Sequence, residues 1–271
     1  MPLLCALGTR AGALSRQLLR GRSHERRLHS GITTTLLGGA HGAAPQRYFA
    51  RDGTPISPWH DVPLAAGSGG SAGEYHMVCE IPRWTNAKLE IDTAAPLNPI
   101  VHDTKDGRLR HVANVFPYKG YIWNYGALPQ TFEDPHTTDR ETGFAGDGDP
   151  IDVLEVGSAL CAEGSVHRVK VLAVLALIDG AETDWKVLAI RADDPLAPQL
   201  NDVDDLERHM PGLVAATVDW FTHYKAPDGK PPNRWAFDGR PRDAAYARGV
   251  IAAAHEAWKR LVRAPTGELA L

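Results

Sequence analysis

The amino-acid sequence predicts an α+β fold that is mainly β, in which C-terminal helices pack on the outside of a closed or nearly closed antiparallel barrel. Two patterns predict it. From about residue 75 to 192, short segments rich in β-branched residues and alternating in polarity are separated by turn residues. After residue 192 the pattern becomes helical. Because few helical segments lie between the predicted strands, antiparallel pairing is favoured over parallel crossover units.

Six segments are predicted as strands. Turn residues separate them, such as Asp106-Gly107 and the run at 146–150 that contains two glycines and a proline. One segment stays β-rich for much longer than the others and is expected to be the longest strand of the barrel. The predicted strands are 76–81, 87–92, 109–113, 151–156, 166–178 and 185–190.

Three helices are predicted in the last third of the chain. The first helix, at 202–208, begins with acidic residues. Pro211 suits the first turn of the second helix, which runs to Tyr224. In the third, at about 242–263, apolar residues recur at spacings of four and three, so they form one stripe that requires a packing partner. The outside of the barrel is the available surface. The stripe consists of Ala247, Ile251, Ala254, Trp258 and Leu261.

The composition is that of a globular protein with a core. Of 271 residues, 43% are hydrophobic and 23% are charged, and the formal net charge is −4. A chain of this charge has no global basic excess for holding nucleic acid by counterion release. No apolar run reaches the length that spans a bilayer. The three cysteines lack a CxxC pair, which argues against a disulfide framework and a zinc site.

The first fifty residues are expected to lie outside the fold. They are rich in arginine, serine, leucine and alanine, and Glu25 is the only acid before Asp52. That composition is typical of an organelle transit peptide, mitochondrial or alternatively plastid. A disordered basic tail without targeting meaning, in a cytoplasmic protein, is the other interpretation. The predicted organisation is a leader at 1–50 and one domain at 51–271, with a flexible Gly/Ser loop at 67–73.

Three aspartates lie close together at the start of a predicted strand: Asp147, Asp149 and Asp152. Gly148 allows a tight turn and Pro150 restricts the backbone, so the acids can turn toward one point. Mg²⁺ prefers oxygen ligands and usually binds one or two carboxylates together with substrate phosphate oxygens. Three such aspartates can bridge two metal ions and leave one carboxylate to accept a proton from water. A turn whose acids are merely solvated fits the same residues.

A second group of charged residues lies where the longest predicted strand ends and the next begins. Asp184 and Lys186 are two residues apart, so both face one side of a strand. A hairpin between the two strands would bring Asp179 and Asp184 to the aspartate loop. A hairpin turn with ordinary polar residues is the alternative.

Two other segments place chemically useful side chains on one strand face. Lys88 and Glu90 alternate with apolar residues, so both lie on one face of the strand. That face is either exposed to solvent or part of the functional site. Tyr121, Trp123 and Tyr125 also share a face; tyrosine hydroxyls can donate to phosphate oxygens or to water, although core packing explains the same pattern. Phosphoryl transfer to water needs this mixture of acids, cations and donors. Further single donors are Arg110, Tyr224 and Lys225.

At these residues the chain resembles the soluble family I inorganic pyrophosphatases, most of all the eukaryotic branch. The resemblance extends from about Trp59 to Trp258. It rests on long motifs: EIPRWTNAKLEI at 80–91, NYGALPQTFEDP at 124–135, DGDPIDVLEVG at 147–157, ETDWKV at 182–187 and YKAPDGK at 224–230. It implies an OB-like five-stranded barrel, several essential Mg²⁺ ions, and hydrolysis of pyrophosphate to two phosphates, which drives biosynthetic reactions forward.

The resemblance also implies a role for each matching residue. Asp149 corresponds to the carboxylate that takes a proton from the attacking water, with Tyr125 hydrogen-bonded beside it, and Asp152 to the ligand that bridges two metals. Glu80 corresponds to a supporting acid at the rim. The remaining metal ligands are Asp147, Asp184, Asp179 and Glu90, and the phosphate-binding groups are Lys88, Arg110, Tyr121, Lys186, Tyr224 and Lys225.

Two features depart from the eukaryotic pattern. Gly148 stands where eukaryotic members usually have Asn, although bacterial members often have Gly there. The sequence also lacks the long C-terminal tail of the fungal form, which bears on dimer packing. Arg83 and Trp84 resemble the rest of the family's dimer contact, so a homodimer is expected.

Two other functions remain as hypotheses. An OB-type barrel is a common platform for oligonucleotides or sugars, and Tyr121, Trp123 and Tyr125 would be its stacking residues. Against this stands the absence of a basic stripe. The other hypothesis is a metal phosphohydrolase acting on nucleotides or phosphoproteins, but no Walker pattern is present. Turnover of pyrophosphate distinguishes the three.

Overall fold

A computed structural model describes residues 26–27, 31–38, 44–66 and 73–263. Most of the predicted leader and most of the Gly/Ser loop lie outside these ranges. The described strands are β1 (Arg26–Arg27), β2 (Ile32–Leu37), β3 (Gln46–Arg51), β4 (Thr54–Ile56), β5 (Glu74–Ile81), β6 (Leu89–Ile91), β7 (Ile100–His102), β8 (Thr104–Lys105), β9 (Arg108–Leu109), β10 (Asn124–Ala127), β11 (Asp152–Glu155), β12 (Val166–Asp179), β13 (Glu182–Arg191), β14 (Arg234–Trp235) and β15 (Arg242–Asp243).

The helices follow in the last third of the chain, as predicted. Asp202 caps the first helix through its side chain, which accepts a hydrogen bond from the Val203 amide. Among the residues described, no helix combines the length and apolarity that crossing a bilayer requires. The helices are α1 (Val203–His209), α2 (Leu213–His223) and α3 (Ala244–Arg263), with short 3₁₀ turns at Ala197–Gln199, Ala226–Asp228 and Ala236–Gly239.

Five strands close into a ring, which confirms the predicted fold class. The order is β13-β11-β10-β5-β12, and β12 pairs back onto β13. β12 is long enough to pair with β5 at its start and with β13 over most of its length, and its register with β13 shifts between Val171 and Ala173. One pair differs from the all-antiparallel expectation. β11 and β13 run parallel, since the long antiparallel β12 connects them.

Helix α3 belongs to one buried cluster and helices α1 and α2 to another, because successive strand residues point in opposite directions. Val153 packs in a buried cluster with Ala247 and Ile251 of α3. Its neighbour Leu154 packs in another cluster with Leu206 of α1 and Trp220 of α2. The predicted apolar stripe of α3 therefore lies against the barrel, with Trp258 and Leu261 packed at the edge of a third cluster.

The fold begins earlier than predicted. β2 and β3 pair within the segment expected to be leader, with Ile32 opposite Arg51. Ile32 and Phe49 are fully buried and pack with Ile91 and Ile100 of β6 and β7. The predicted boundary at residue 50 is therefore wrong. The β-branched run ITTTLL supports a strand, and the basic composition of the surrounding residues obscured it.

Two further predictions need correction. The strand predicted at 109–113 does not form as one element. Only Leu109 lies in a strand, as the last residue of β9, and His111 makes a single isolated bridge with Ala87. β10 was not among the six predicted strands, although the face assigned to Tyr121, Trp123 and Tyr125 assumed an extended segment that overlaps its start; Gly126 within it weakens the strand propensity. The structure gives the reason for that glycine: a Cβ there would lie 2.0 Å from the Val78 carbonyl oxygen of β5.

Candidate active site

Every side chain that the sequence analysis selected as a site residue lines one cavity of about 170 Å³ at the end of the barrel. Acids, cations and tyrosines from six separate segments meet there. The selected residues that line it are Glu80, Lys88, Glu90, Arg110, Tyr121, Tyr125, Asp147, Asp149, Asp152, Asp179, Asp184, Lys186, Tyr224 and Lys225.

The parallel pair of strands forms the acidic wall. Asp152 of β11 lies opposite Lys186 of β13, and Asp184 lies two residues earlier on the same face. Asp147 and Asp149 project from the turn before β11. That turn has Gly148 in the left-handed region, at φ +89°, and the Asp149 amide donates to Asp147 Oδ1 at 3.0 Å. The strand register and this turn together bring the acids to one point.

Lys186 lies buried between two of the acids, with 2% of its surface exposed. Its ammonium donates to Asp184 Oδ1 at 2.6 Å and to Asp152. Tyr125 Oη lies 3.2 Å from the same nitrogen. Burial opposes the charged form, but the two carboxylates outweigh it and raise the pKa of Lys186, so the residue remains an ammonium donor inside the cavity.

Two residues are placed differently from what the resemblance implies. The Tyr125 hydroxyl donates to Asp152 and not to Asp149. Tyr125 pairs with Leu154, so Asp152 is its diagonal neighbour on the same face of the sheet. Glu80 is not at the rim. It is 4% exposed, and its Oε1 accepts the Ile91 amide at 2.9 Å. Burial, with the nearby charge of Asp152, raises the pKa of Glu80.

The cationic side of the cavity is organised by an acid that sequence reasoning missed. Lys88 Nζ lies 2.5 Å from Glu90 and 2.8 Å from Asp103, and Arg110 also donates to Asp103. Asp103 thus orients two of the predicted phosphate-binding cations. Although its partial burial opposes ionisation, the hydrogen bond from Lys88 and the charges of both cations lower the pKa of Asp103. Lys225 pairs in the same way with Asp179.

Crowding of the acids changes their ionisation. Part of the Asp149 surface is exposed to solvent. Its carboxyl group nevertheless lies deep in the cavity, where burial and the charges of Asp152 and Glu90 raise its pKa to about 7. Burial and the charge of Asp149 likewise raise the pKa of Asp147 to about 7. The pKa of Asp184 is also raised, mainly by burial, against the opposing effect of Lys186. Such a group of acids holds protons at neutral pH unless a cation replaces them.

Three carboxylates are placed to share one cation. Glu133, Asp147 and Asp184 each have an oxygen within 4.8 Å of the others. All three are oxygen donors, the ligand type that Mg²⁺ prefers and softer metals do not. The site residues therefore fit a hard divalent cation. Glu133 was not selected from the sequence, although it lies within the segment 124–135 that carries part of the resemblance.

The aromatic face does not form a stacking platform. Trp123 is fully buried, donates to Thr217 Oγ1 at 3.0 Å and packs on Trp220 and Phe221. Of the three aromatic residues predicted on one face, only Tyr121 and Tyr125 line the cavity. The hypothesis of an oligonucleotide-binding barrel therefore loses Trp123, the central one of the three stacking residues on which it rested.

Comparison with known proteins agrees with this geometry. The family described as inorganic pyrophosphatase matches residues 77–259. Among curated relatives, an inorganic pyrophosphatase of Schizosaccharomyces pombe is 54% identical over 237 residues, which is 88% of this chain and 81% of that protein. The inorganic pyrophosphatase of Homo sapiens is 56% identical over 214 residues, 79% of this chain and 73% of that protein.

Solved structures agree as well. The inorganic pyrophosphatase of Schistosoma japonicum superposes with a TM-score of 0.81 at 50% identity, covering 84% of this chain and 80% of that one. A truncated vacuolar soluble pyrophosphatase of Trypanosoma cruzi, solved in complex with PPi, gives a TM-score of 0.77 at 34% identity. The match covers 89% of this chain and 93% of that one.

Proposed function

The chain belongs to the family I inorganic pyrophosphatases of the eukaryotic type and is an inorganic diphosphatase; from this premise we propose that its carboxylates hold Mg²⁺ and that its side chains position a water molecule to split pyrophosphate into two phosphates. One observation carries the proposal. A single cavity combines a wall of aspartates with a wall of lysine, arginine and tyrosine donors, which is what metal-assisted phosphoryl transfer needs.

The residues divide into two groups by chemistry. Asp147, Asp152 and Asp184 would hold Mg²⁺, and Asp179 and Glu90 would serve further ions. When bound, the ions would neutralise charge on the phosphate oxygens and lower the pKa of a water molecule. The groups that bind the phosphates are Lys88, Arg110, Tyr121, Lys186, Tyr224 and Lys225.

In the chemical step the oxygen of the water forms a bond to one phosphorus, and the bond from that phosphorus to the bridging oxygen breaks. Asp149 accepts the proton that the water loses. Tyr125 and Lys186 both donate to the same oxygen, Oδ2, of Asp152, and so fix the orientation of that carboxylate.

Release of phosphate from pyrophosphate tests the proposal. We expect rapid phosphate release with Mg²⁺, loss of release with a chelator, and little release from ATP under the same conditions. Hydrolysis of ATP in preference to pyrophosphate would support a nucleotide phosphohydrolase instead. Equal rates with and without chelator would contradict the metal requirement.

We propose that the residues before Ile32 direct the protein to the mitochondrion. Support comes from composition alone: they are rich in Arg and contain Glu25 as the single acid. A fusion of residues 1–31 to a fluorescent reporter should enter mitochondria, and replacing Arg16, Arg20 and Arg22 with Gln should abolish import. Import into plastids would show that the mitochondrion is the wrong destination. Diffuse fluorescence of the unmodified fusion would contradict a targeting role altogether.

We also propose a homodimer formed through the surface around Trp84. Trp84 is 53% exposed with the Arg83 guanidinium 5.6 Å from its ring centre, and Phe116 is 94% exposed. Exposed aromatic and arginine side chains are typical anchors of protein interfaces. In sedimentation experiments the wild type should be a dimer and Trp84→Ala a monomer. Val262→Ala, which changes an exposed apolar residue elsewhere, is the matched control and should remain a dimer. A wild-type monomer at micromolar concentration would contradict the proposal.

A further inference from the structure

Glu133 has a buried carboxylate oxygen that the protein leaves without a partner. The side chain is 5% exposed, and its Oε1 accepts the Trp185 amide at 2.9 Å. Its Oε2 has no hydrogen-bond partner among the residues that the structure describes. Buried polar atoms of this kind are rare, because an unsatisfied group loses its hydration without compensation.

The position of Glu133 indicates what that oxygen serves. One of its oxygens lies within 4.8 Å of an oxygen of Asp147 and an oxygen of Asp184. Glu133 does not line the cavity that holds the phosphate-binding groups. It lies behind the acids, on the wall of a separate groove of about 290 Å³ beneath helix α3. It is therefore placed to act on a metal and not on the substrate.

The backbone holds Glu133 firmly against the aspartate loop. Its amide donates to the Asp149 carbonyl at 2.9 Å, and its carbonyl accepts the Gly148 amide at 2.8 Å. Gly146 approaches so closely that a Cβ there would lie 2.3 Å from the Glu133 carbonyl carbon. The segment that carries Glu133 and the loop that carries Asp147 and Asp149 thus form one unit.

We propose that Glu133 is a further metal-holding residue, whose free oxygen serves the cation bound by Asp147 and Asp184 from the side away from the pyrophosphate cavity. Three facts support this role: the free oxygen Oε2, a Glu133 carboxylate oxygen within 4.8 Å of oxygens of Asp147 and Asp184, and a carboxylate fixed in place by the Trp185 amide. The inference rests on the proposed function in requiring a metal, but it does not require that the metal act on pyrophosphate.

The test measures metal affinity without substrate. Glu133→Gln keeps the shape of the side chain and an oxygen that can accept the Trp185 amide, but removes the charge. Carboxylates that support a metal site typically contribute about 10–100-fold in affinity. We expect Mg²⁺ and Mn²⁺ affinities, measured by titration calorimetry, to fall by about that factor. Glu256→Gln, a change on the α3 side of the same groove, is the matched control and should leave metal affinity unchanged.

A second variant keeps the test decisive if Glu133→Gln does not fold. Glu133→Asp retains the charge but shortens the side chain by one methylene, so its metal affinity should fall as well. Unchanged metal affinity in either folded variant would overturn the proposal. The proposed function fails separately: a wild type that binds Mg²⁺ with high affinity but does not release phosphate from pyrophosphate would contradict the function and leave the role of Glu133 intact.

Discussion

Asp149→Asn should lower kcat for pyrophosphate by about 10²–10⁴-fold, the usual contribution of a positioned general base. The substitution removes the basic oxygen but keeps the shape of the side chain. Asp149 lines the cavity together with Asp152 and Glu90. Because its neighbours supply the metal ligands, Mg²⁺ affinity should change little. Steady-state kinetics with titration of Mg²⁺ measures both.

Asp152→Asn provides the contrast. Asp152 contacts both Lys186 and Tyr125 and lies where β11 meets β13, so it is central to the metal-holding wall. Removing its charge should weaken metal binding as well as lower the rate. Wild-type turnover by Asp149→Asn at saturating Mg²⁺ would show that another group activates the water.

Mg²⁺ should stabilise the fold, and by more as the pH rises. Without metal, Asp147 and Asp149 have pKa values of about 7 in the folded state, against the ordinary aspartate value of 3.8. Between about pH 4 and 7 the folded state therefore binds more protons than the unfolded state, and the free energy of unfolding falls as pH increases through this window. A cation that binds these carboxylates in place of the protons removes this decrease in the free energy of unfolding.

Thermal melting measures the effect. A ligand that binds only the native state adds about 2.7 kcal/mol at a hundredfold excess over its dissociation constant. For a chain of this size that corresponds to a Tm increase of about 5–10 °C. We expect the increase at pH 8 to exceed that at pH 5. The double variant Asp147→Asn/Asp149→Asn should lose most of the pH dependence. Equal Tm values with Mg²⁺ and with chelator at pH 8 would mean that these carboxylates are ordinary polar residues.

The sequence predicts much of the fold because the relevant signals are local. Alternation identifies β12 and β13, and helix α1 is preceded by its cap, Asp202. β2 and β3 were missed because their burial depends on distant partners in β6 and β7, while the surrounding composition indicated a leader. The parallel pairing of β11 with β13 is likewise a tertiary feature, which no periodicity within either strand can indicate.

The candidate site was predicted more completely than the fold, since its residues occur in long family motifs. Glu133 and Asp103 were missed for a different reason. A single acid in a sequence carries no chemical signal until the fold places it beside others: Glu133 beside Asp147 and Asp184, and Asp103 between Lys88 and Arg110. The hydrogen bond from Tyr125 to Asp152 also follows from strand register, which the motif alone does not give.

The most direct test of the metal-carboxylate mechanism is phosphate release from pyrophosphate as a function of Mg²⁺ concentration, for the wild type, Asp149→Asn and Asp152→Asn. A metal-holding role for Asp152 and a proton-accepting role for Asp149 predict that excess Mg²⁺ partly restores Asp152→Asn and leaves Asp149→Asn at its reduced rate. Recovery of Asp149→Asn to wild-type turnover at high Mg²⁺ would contradict this division of roles.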